Sequence, residues 1–391
     1  MDAGRSNMGY TMSLSQQDSA AAAHVYDVVI IGMGAAGVGV GVALTDAGIE
    51  NIIGLERHEV GASFARWPAE MRFITPSFAT NSVGMLDINS VAIGASPAFG
   101  IQVEHPTGQQ YALHLAAVVE AFELPVREQI DVHQISKVDG LFHIETSAER
   151  YTAKHVIWAA GDFQYPSMKG CTGSENCRHI ATIPSYAELE GDDFIIVGGY
   201  ESGIDAAYHL ARRGKRVRVF DKESPWKLGT SDPSVALSTY TLERMRTEAF
   251  TKQVELFPKT PIGSVTLSDS TYEVVTESGE RFQTHTQPIL ASGFEGSHKL
   301  VGDLFEARDD GFPLLNEQDE STLTPGLFLC GPAVRQEGQI FCFIYKYRQR
   351  FAVVAKTIAT SLDLPAEYLE TYRNWGMYLD DLSCCGQECA C

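Results

Sequence analysis

One pattern occurs twice in this chain and limits its fold more than anything else in it. An apolar strand runs into a glycine loop and a helix, and a second strand then ends in an acid. The first copy passes from a strand over 26–31 through Gly32-Met33-Gly34-Ala35-Ala36-Gly37, a helix over 35–47 and a strand over 51–55, to Glu56. The second passes from 194–197 through Gly198-Gly199-Tyr200-Glu201-Ser202-Gly203, a helix over 204–213 and a strand over 217–220, to Asp221. In such a unit the first glycine makes the tight turn, the second lets a pyrophosphate approach the backbone, and the third lets helix pack on strand. The helix N-terminus offers free N–H groups to phosphates, and the acid accepts from ribose hydroxyls. Each copy is therefore read as a dinucleotide site. The second is imperfect, because Tyr200 stands where the middle glycine belongs. Asp221 favours NADH, since it would repel a 2′-phosphate, although Lys222 beside it works the other way.

Composition narrows the partners. The chain has 391 residues with 30 Lys plus Arg against 50 Asp plus Glu, a formal charge of −20. A duplex-DNA or anionic-membrane binder needs a basic face, so nucleic acid and membrane are not expected partners. Residues 28–45 carry no charge, but five glycines in a strand-and-turn context read as a buried strand and phosphate loop rather than a membrane span. The polar N-terminus lacks a hydrophobic run, so a cytoplasmic location is expected.

Two further segments echo each other. Ala159-Ala160-Gly161 and Ala291-Ser292-Gly293 each follow an apolar strand. A last strand over 327–330 leads to Gly331-Pro332, and a helix is expected over 341–361. Two dinucleotide units in one chain imply two nucleotides meeting, and hydride transfer from a nicotinamide to a flavin is the economical chemistry. The fold class expected is α/β, with two doubly wound Rossmann-like domains and the NAD(P) domain inserted into a split FAD domain. The expected boundaries are a disordered 1–25, FAD-binding 26–185, NAD(P)-binding 186–285, FAD-binding 286–362, and a cysteine tail over 363–391.

Over 26–362 the chain resembles the two-dinucleotide-binding-domain flavoproteins of the pyridine nucleotide-disulfide oxidoreductase superfamily. Ser63-Phe64 with Trp67-Pro68, Phe73 with Thr75-Pro76-Ser77, and Ser202-Gly203-Ile204-Asp205-Ala206-Ala207 place it nearest the thioredoxin-reductase-like and bacillithiol-disulfide-reductase-like branch, with features of flavin monooxygenases. The resemblance implies FAD at Gly32, Gly34, Ala35, Ala36 and Gly37 with Glu56, and NADH or NADPH at Gly198, Gly199, Tyr200, Glu201, Ser202 and Gly203 with Asp221 and Lys222. Arg57, Trp67, Thr75, Ala160, Gly161, Gly293, Gly331 and Phe341 complete the expected cofactor-binding set. Three departures stand out. The C-x-x-C of thioredoxin reductases is replaced by Thr182-Ile183-Pro184-Ser185, the usual Gly-Asp is Gly331-Pro332, and the monooxygenase fingerprint F-x-G-x-x-x-H does not occur between the two loops.

The eight cysteines carry the remaining chemistry. Cys384, Cys385, Cys389 and Cys391 crowd the C-terminus in a tail that resembles the vicinal cysteines of mercuric reductases. In those relatives the tail serves a neighbouring subunit, so a homodimer is expected. Exposed thiolates relay electrons by disulfide exchange or bind soft metals, and the tail reads as either a Cys384/Cys385 redox pair or an inert end. Cys342, near the last helix, is the other candidate catalytic thiol, against the alternative of a core cysteine. Cys171 and Cys177, with five residues between them, are a redox pair or two free thiols. Lys346, Arg348 and Arg350 read as a solvated helix face. No metal site is expected from histidine spacing. The function expected is an FAD-dependent NAD(P)H oxidoreductase whose acceptor is a disulfide or thiol-bound species. The alternatives are a flavin monooxygenase of a small substrate and a non-catalytic flavin or thiol metal-binding protein.

Overall fold

The computed structural model describes residues 24–78, 86–230, 234–336 and 339–383. Strand β1 (Val25–Ile31) is rich in β-branched residues and lies at the centre of a seven-stranded mixed sheet. It pairs in parallel with β2 (Ile52–Leu55) on one side and β6 (Arg150–Trp158) on the other. Beyond β2 lies the two-residue β3 (Val126–Arg127). Beyond β6 come the antiparallel β5 (Leu141–Thr146) and β4 (Val132–Val138). Helix α1 (Ala35–Asp46) carries apolar or glycine residues on all sides and is almost wholly buried, as a helix apolar all round must be. Gly39 lets it pack closely: a Cβ there would stand 2.2 Å from the Phe351 ring of the last helix. Helix α2 (Gly108–Ala121) starts at a reciprocal cap in which Thr107 and Gln110 each accept the other's amide, the usual device for satisfying free N–H groups at a helix start.

The second sheet is five parallel strands in the order β10 (Val254–Pro258), β9 (Arg216–Asp221), β8 (Asp193–Val197), β14 (Ile289–Leu290), β7 (Arg178–His179). Its helix α3 (Glu201–Ala211) follows β8 directly. An antiparallel meander of β11 (Ile262–Ser268), β12 (Thr271–Thr276) and β13 (Arg281–Thr284) packs beside it. Strand β15 (Leu327–Leu329) returns to the first sheet beside β6.

The sequence boundaries at 185 and 286 do not coincide with the edges of this sheet. Residues 178–179 and 289–290, both assigned to the flavin segment, pair in parallel within the second sheet. Runs of two residues carry no periodicity to read; only partners distant in sequence recruit them.

The helix expected over 341–361 is also different. A two-residue strand (Gln339–Ile340) precedes Phe341 and Cys342, a single turn covers Ile344–Tyr347, and regular helix begins only at α4 (Phe351–Ser361). This broken entry overturns the solvated-face reading of Lys346, Arg348 and Arg350, which are only 4%, 5% and 1% exposed. Arg348 donates to the Asp87 and Ser90 carbonyls, and Arg350 pairs with the fully buried Asp319 at 2.8 Å. Burial is tolerable because each cation reaches acceptors. A regular helix would have turned some of the three outward; tight turns bring all of them inward.

Candidate functional site

The two glycine loops have nearly the same backbone. Gly32 and Gly198 both take positive φ, +93° and +103°. Gly34 and Tyr200 precede their helices with φ/ψ of −82°/−163° and −85°/−166°. A Cβ on Gly37 would stand 1.9 Å from the Gly32 carbonyl oxygen, and one on Gly203 1.9 Å from that of Gly198. The echoed turns explain the first glycines: a Cβ on Gly32 would strike Ala159 and Ala160, and one on Gly198 would strike Ala291. The acids are positioned alike. Glu56 accepts the Met33 and His58 amides at 2.8 and 3.0 Å. Asp221 accepts the Gly199, Glu223 and Ser224 amides at 2.7, 2.8 and 2.6 Å.

The loops differ in what stands before them. A Cβ on Gly34 would meet nothing within 4 Å, because the residue faces a cavity of about 660 Å³. Helix α1 has no side-chain cap, so its first N–H groups are available to an anionic group there. The open glycine, the uncapped helix and the buried Glu56 fit a flavin dinucleotide. At the second loop the backbone and Asp221 fit a nucleotide equally well. However, Tyr200 adds a side chain whose hydroxyl donates to the Ala236 carbonyl at 3.0 Å, and the Trp226 ring lies against Gly199. Aromatic groups therefore narrow this second mouth.

The cavity brings together Gly32, Gly34, Ala35, Ala36, Glu56, Arg57, Trp67, Thr75, Ala160, Gly161, Glu201, Ser202 and Cys342. Arg57 reaches Gln164 and lies over the Tyr165 ring. Trp67 packs at a tilt against Phe64 and Phe73 in an aromatic wall. Gly37, Gly198, Gly199, Tyr200, Gly203, Asp221, Lys222, Gly293, Gly331 and Phe341 are not in its lining. Gly331 stands just behind the wall, its Cβ direction meeting Ala36 at 3.3 Å, while Pro332 faces inward. Phe341 is a buried core residue. Cys384 and Cys385 lie outside the described residues.

Sequence reasoning missed several groups in or beside this wall. Cys342 Sγ is 3.1 Å from Ser234 Oγ, and Lys346 Nζ donates to that same oxygen at 2.7 Å. Ser234 carries no motif to mark it, and the charge of Lys346 pointed to solvent rather than to Ser234 Oγ. Asp162 also lines the cavity. Its burial pushes the carboxyl above the usual range, against the pull of its own and Phe163's amides and Arg335. Its position directly after Gly161 was the signal for it. Asp205 of α3 reaches the same cavity and holds Arg244 at 2.6 Å and the Tyr186 hydroxyl at 3.1 Å.

Contacts between the two cores hold Glu201 and Ser202 against this cavity. Glu70 accepts from the Ser185 hydroxyl at 2.8 Å, the Tyr186 and Ala187 amides at 3.0 Å each, and Arg213 at 2.8 Å. The His105 ring stacks on Tyr240 with centroids 3.9 Å apart. Among the described residues no helix is long and apolar enough to cross a membrane.

Residues 29–331 match the family described as pyridine nucleotide-disulphide oxidoreductase. The uncharacterised oxidoreductase CzcO of Bacillus velezensis is 28% identical over 193 residues, 48% of this chain and 52% of that protein, so the match spans about half of that relative's length. Bacilliredoxin reductase Bdr of Bacillus subtilis is 24% identical over 316 residues, 78% of this chain and 88% of that protein. Among solved structures, bacillithiol disulfide reductase Bdr (YpdA) from Bacillus cereus shares the fold with a TM-score of 0.69 and 20% identity, covering 86% of this chain and 100% of that one. A flavin-containing monooxygenase from Stenotrophomonas maltophilia shares it with a TM-score of 0.68 and 16% identity, covering 86% and 98%.

Proposed function

Because the chain belongs to the pyridine nucleotide-disulphide oxidoreductase family, we propose that it is an FAD-dependent oxidoreductase that takes electrons from NAD(P)H and passes them to a disulfide or thiol-bound acceptor. One observation carries this reading: the open loop at Gly34 and the thiol of Cys342 line the same cavity. The likeness to bacilliredoxin reductase over most of both chains supports the acceptor class. FAD, when bound, supplies the exchange of an electron pair between a nicotinamide and a thiol system.

The roles of this chain's own residues follow from their contacts. Gly32, Gly34 and the start of α1 hold the pyrophosphate, and Glu56 orients the ribose. Asp221 plays the same part for the pyridine nucleotide and favours NADH as donor. Lys346 donates to Ser234 Oγ, and that same hydroxyl hydrogen-bonds with Cys342 Sγ. A sulfur that accepts such a bond is stabilised as thiolate, the form that attacks a disulfide. Part-buried Asp162, its carboxyl pushed upward, is suited to hold a proton beside that reaction. The tail pair Cys384/Cys385 is the second candidate exit for electrons.

The test is anaerobic mixing of the flavin-loaded protein with NADH or NADPH, followed by a small disulfide. Flavin absorbance is expected to bleach with the nucleotide and return with the disulfide. In Cys342→Ser the bleaching is expected to persist and the return to be lost. No bleaching with either nucleotide would overturn the oxidoreductase reading. Loss of the return in Cys384→Ser/Cys385→Ser, but not in Cys342→Ser, would assign the exit to the tail.

A further inference from the structure

Away from the cavity, one short loop carries two thiols that the proposed reaction does not use. Cys171 and Cys177 flank a tight turn pinned onto β11. The Thr172 amide donates to the Gly263 carbonyl at 3.0 Å, and the Val265 amide donates back to Thr172 at 2.9 Å. Inside the loop the Asn176 amide donates to Gly173 and the Cys177 amide to Ser174, and the Asn176 side chain ties to the Val265 carbonyl at 3.0 Å. Gly173, with φ of +74°, lies so close to β11 that a Cβ would stand 2.0 Å from Val265 oxygen. The turn doubles the chain back and seats both cysteines in one apolar cluster, Cys177 buried and Cys171 part-exposed.

We infer that Cys171 and Cys177 form a thiol–disulfide exchange site, in which the accessible Cys171 attacks a low-molecular-weight disulfide and Cys177 closes an internal disulfide. The two sulfurs sit in one apolar cluster at the ends of that turn, and a hydrogen bond from Cys177 is the first influence on Cys171. That bond holds the Cys171 thiol below its ordinary range. The same bond, with burial, pushes Cys177 well above its own. The pair is thus divided into an attacking sulfur and a protonated reserve, as exchange chemistry requires.

Cys171 thiolate displaces one thiolate from R–S–S–R and forms a mixed disulfide. Cys177 then loses its proton and attacks Cys171 Sγ, expelling the second thiolate. The two protein thiols are oxidised, the external disulfide is reduced to two thiols, and the two protons leave with them. Neither cysteine lines the flavin cavity, so the exchange needs neither flavin nor nicotinamide.

The site is tested on the full-length, folded protein with oxidised glutathione in the absence of NAD(P)H. Cleavage after Lys169 and Arg178 releases one peptide, 170–178, that holds both cysteines and no others. In oxidant-treated wild type this peptide is expected two hydrogens light and resistant to alkylation, and dithiothreitol is expected to reverse both properties. Cys177→Ser is expected to stop at glutathione on Cys171, and Cys171→Ser to leave Cys177 unmodified. A doubly alkylated peptide from oxidant-treated wild type would overturn the inference without recourse to any variant. So would Cys171→Ser taking glutathione on Cys177 as fast as the wild-type loop closes.

Discussion

Ser234 Oγ lies 3.1 Å from Cys342 Sγ although 108 positions separate them in the chain. Lys346 binds the same oxygen, so the hydroxyl bridges a cation to the sulfur. Removing the bridge in Ser234→Ala is expected to lower disulfide-dependent turnover about a hundredfold, the lower end of what a positioned proton-transfer group contributes. Flavin reduction by NAD(P)H should change less than threefold, and Ser234→Thr should restore most of the loss. Equal losses in both half-reactions would show that Ser234 only supports the fold.

The first glycine loop offers a sharper contrast. Gly34 faces open space at negative φ, whereas a methyl on Gly37 would collide with the Gly32 carbonyl. Gly34→Ala is expected to keep the flavin-free melting temperature and weaken flavin binding at least tenfold, about 1.4 kcal/mol. Gly37→Ala is expected to cost about 3 kcal/mol of stability through overpacking. Thermal melts beside flavin titrations separate the two. Unchanged flavin affinity in Gly34→Ala would dissociate that loop from the cofactor.

Tyr200 sets the second loop apart from the first. Tyr200→Gly is expected to lower KM for the pyridine nucleotide about tenfold by opening the approach that a middle glycine provides. Tyr200→Phe keeps the bulk while losing the bond to Ala236, and should leave KM near wild type. Steady-state titration of NADH and NADPH reads both. A raised KM in Tyr200→Gly would mean the ring binds nucleotide rather than obstructing it.

Glu70 makes the joint between the two cores pH-sensitive. Burial alone would raise its carboxyl. Hydrogen bonds from Ser185, Tyr186, its own amide and Ala187 outweigh burial and leave it below the ordinary value of 4.5. Folding therefore favours the charged form: its contribution is complete above pH 4.5 and fades as pH falls through the lower folded value. Glu70→Gln is expected to be about 1.5–3 kcal/mol less stable than wild type at pH 7, the range for hydrogen bonds to a charged group. The gap should narrow as acid is added. Denaturant midpoints at pH 7 and pH 3 check this, and a gap that widens in acid would refute it.

How far the sequence reaches varies with distance along the chain. Glycine loops, their flanking strands and the acids at Glu56 and Asp221 follow one another in one continuous stretch of chain, so each unit is legible as a pattern. The paired turns at Ala160 and Ala291 were visible as an echo, and the glycine contacts supply their reason. Lys346, Arg348 and Arg350 were misplaced because charge implies solvent unless an acceptor waits inside. Those acceptors, Ser234, the Asp87 carbonyl and Asp319, come from distant parts of the chain.

Taken alone, then, the order of residues settled that this polypeptide builds two nucleotide-type units and where their loops begin, since the strand, glycine loop, helix and acid of each unit follow one another along the chain. Only folding in three dimensions decided that Cys342 meets Ser234 and that α3 closes one wall of the cavity that Gly34 faces. Those proximities depend on the packing of elements far apart along the chain, and no local pattern encodes it.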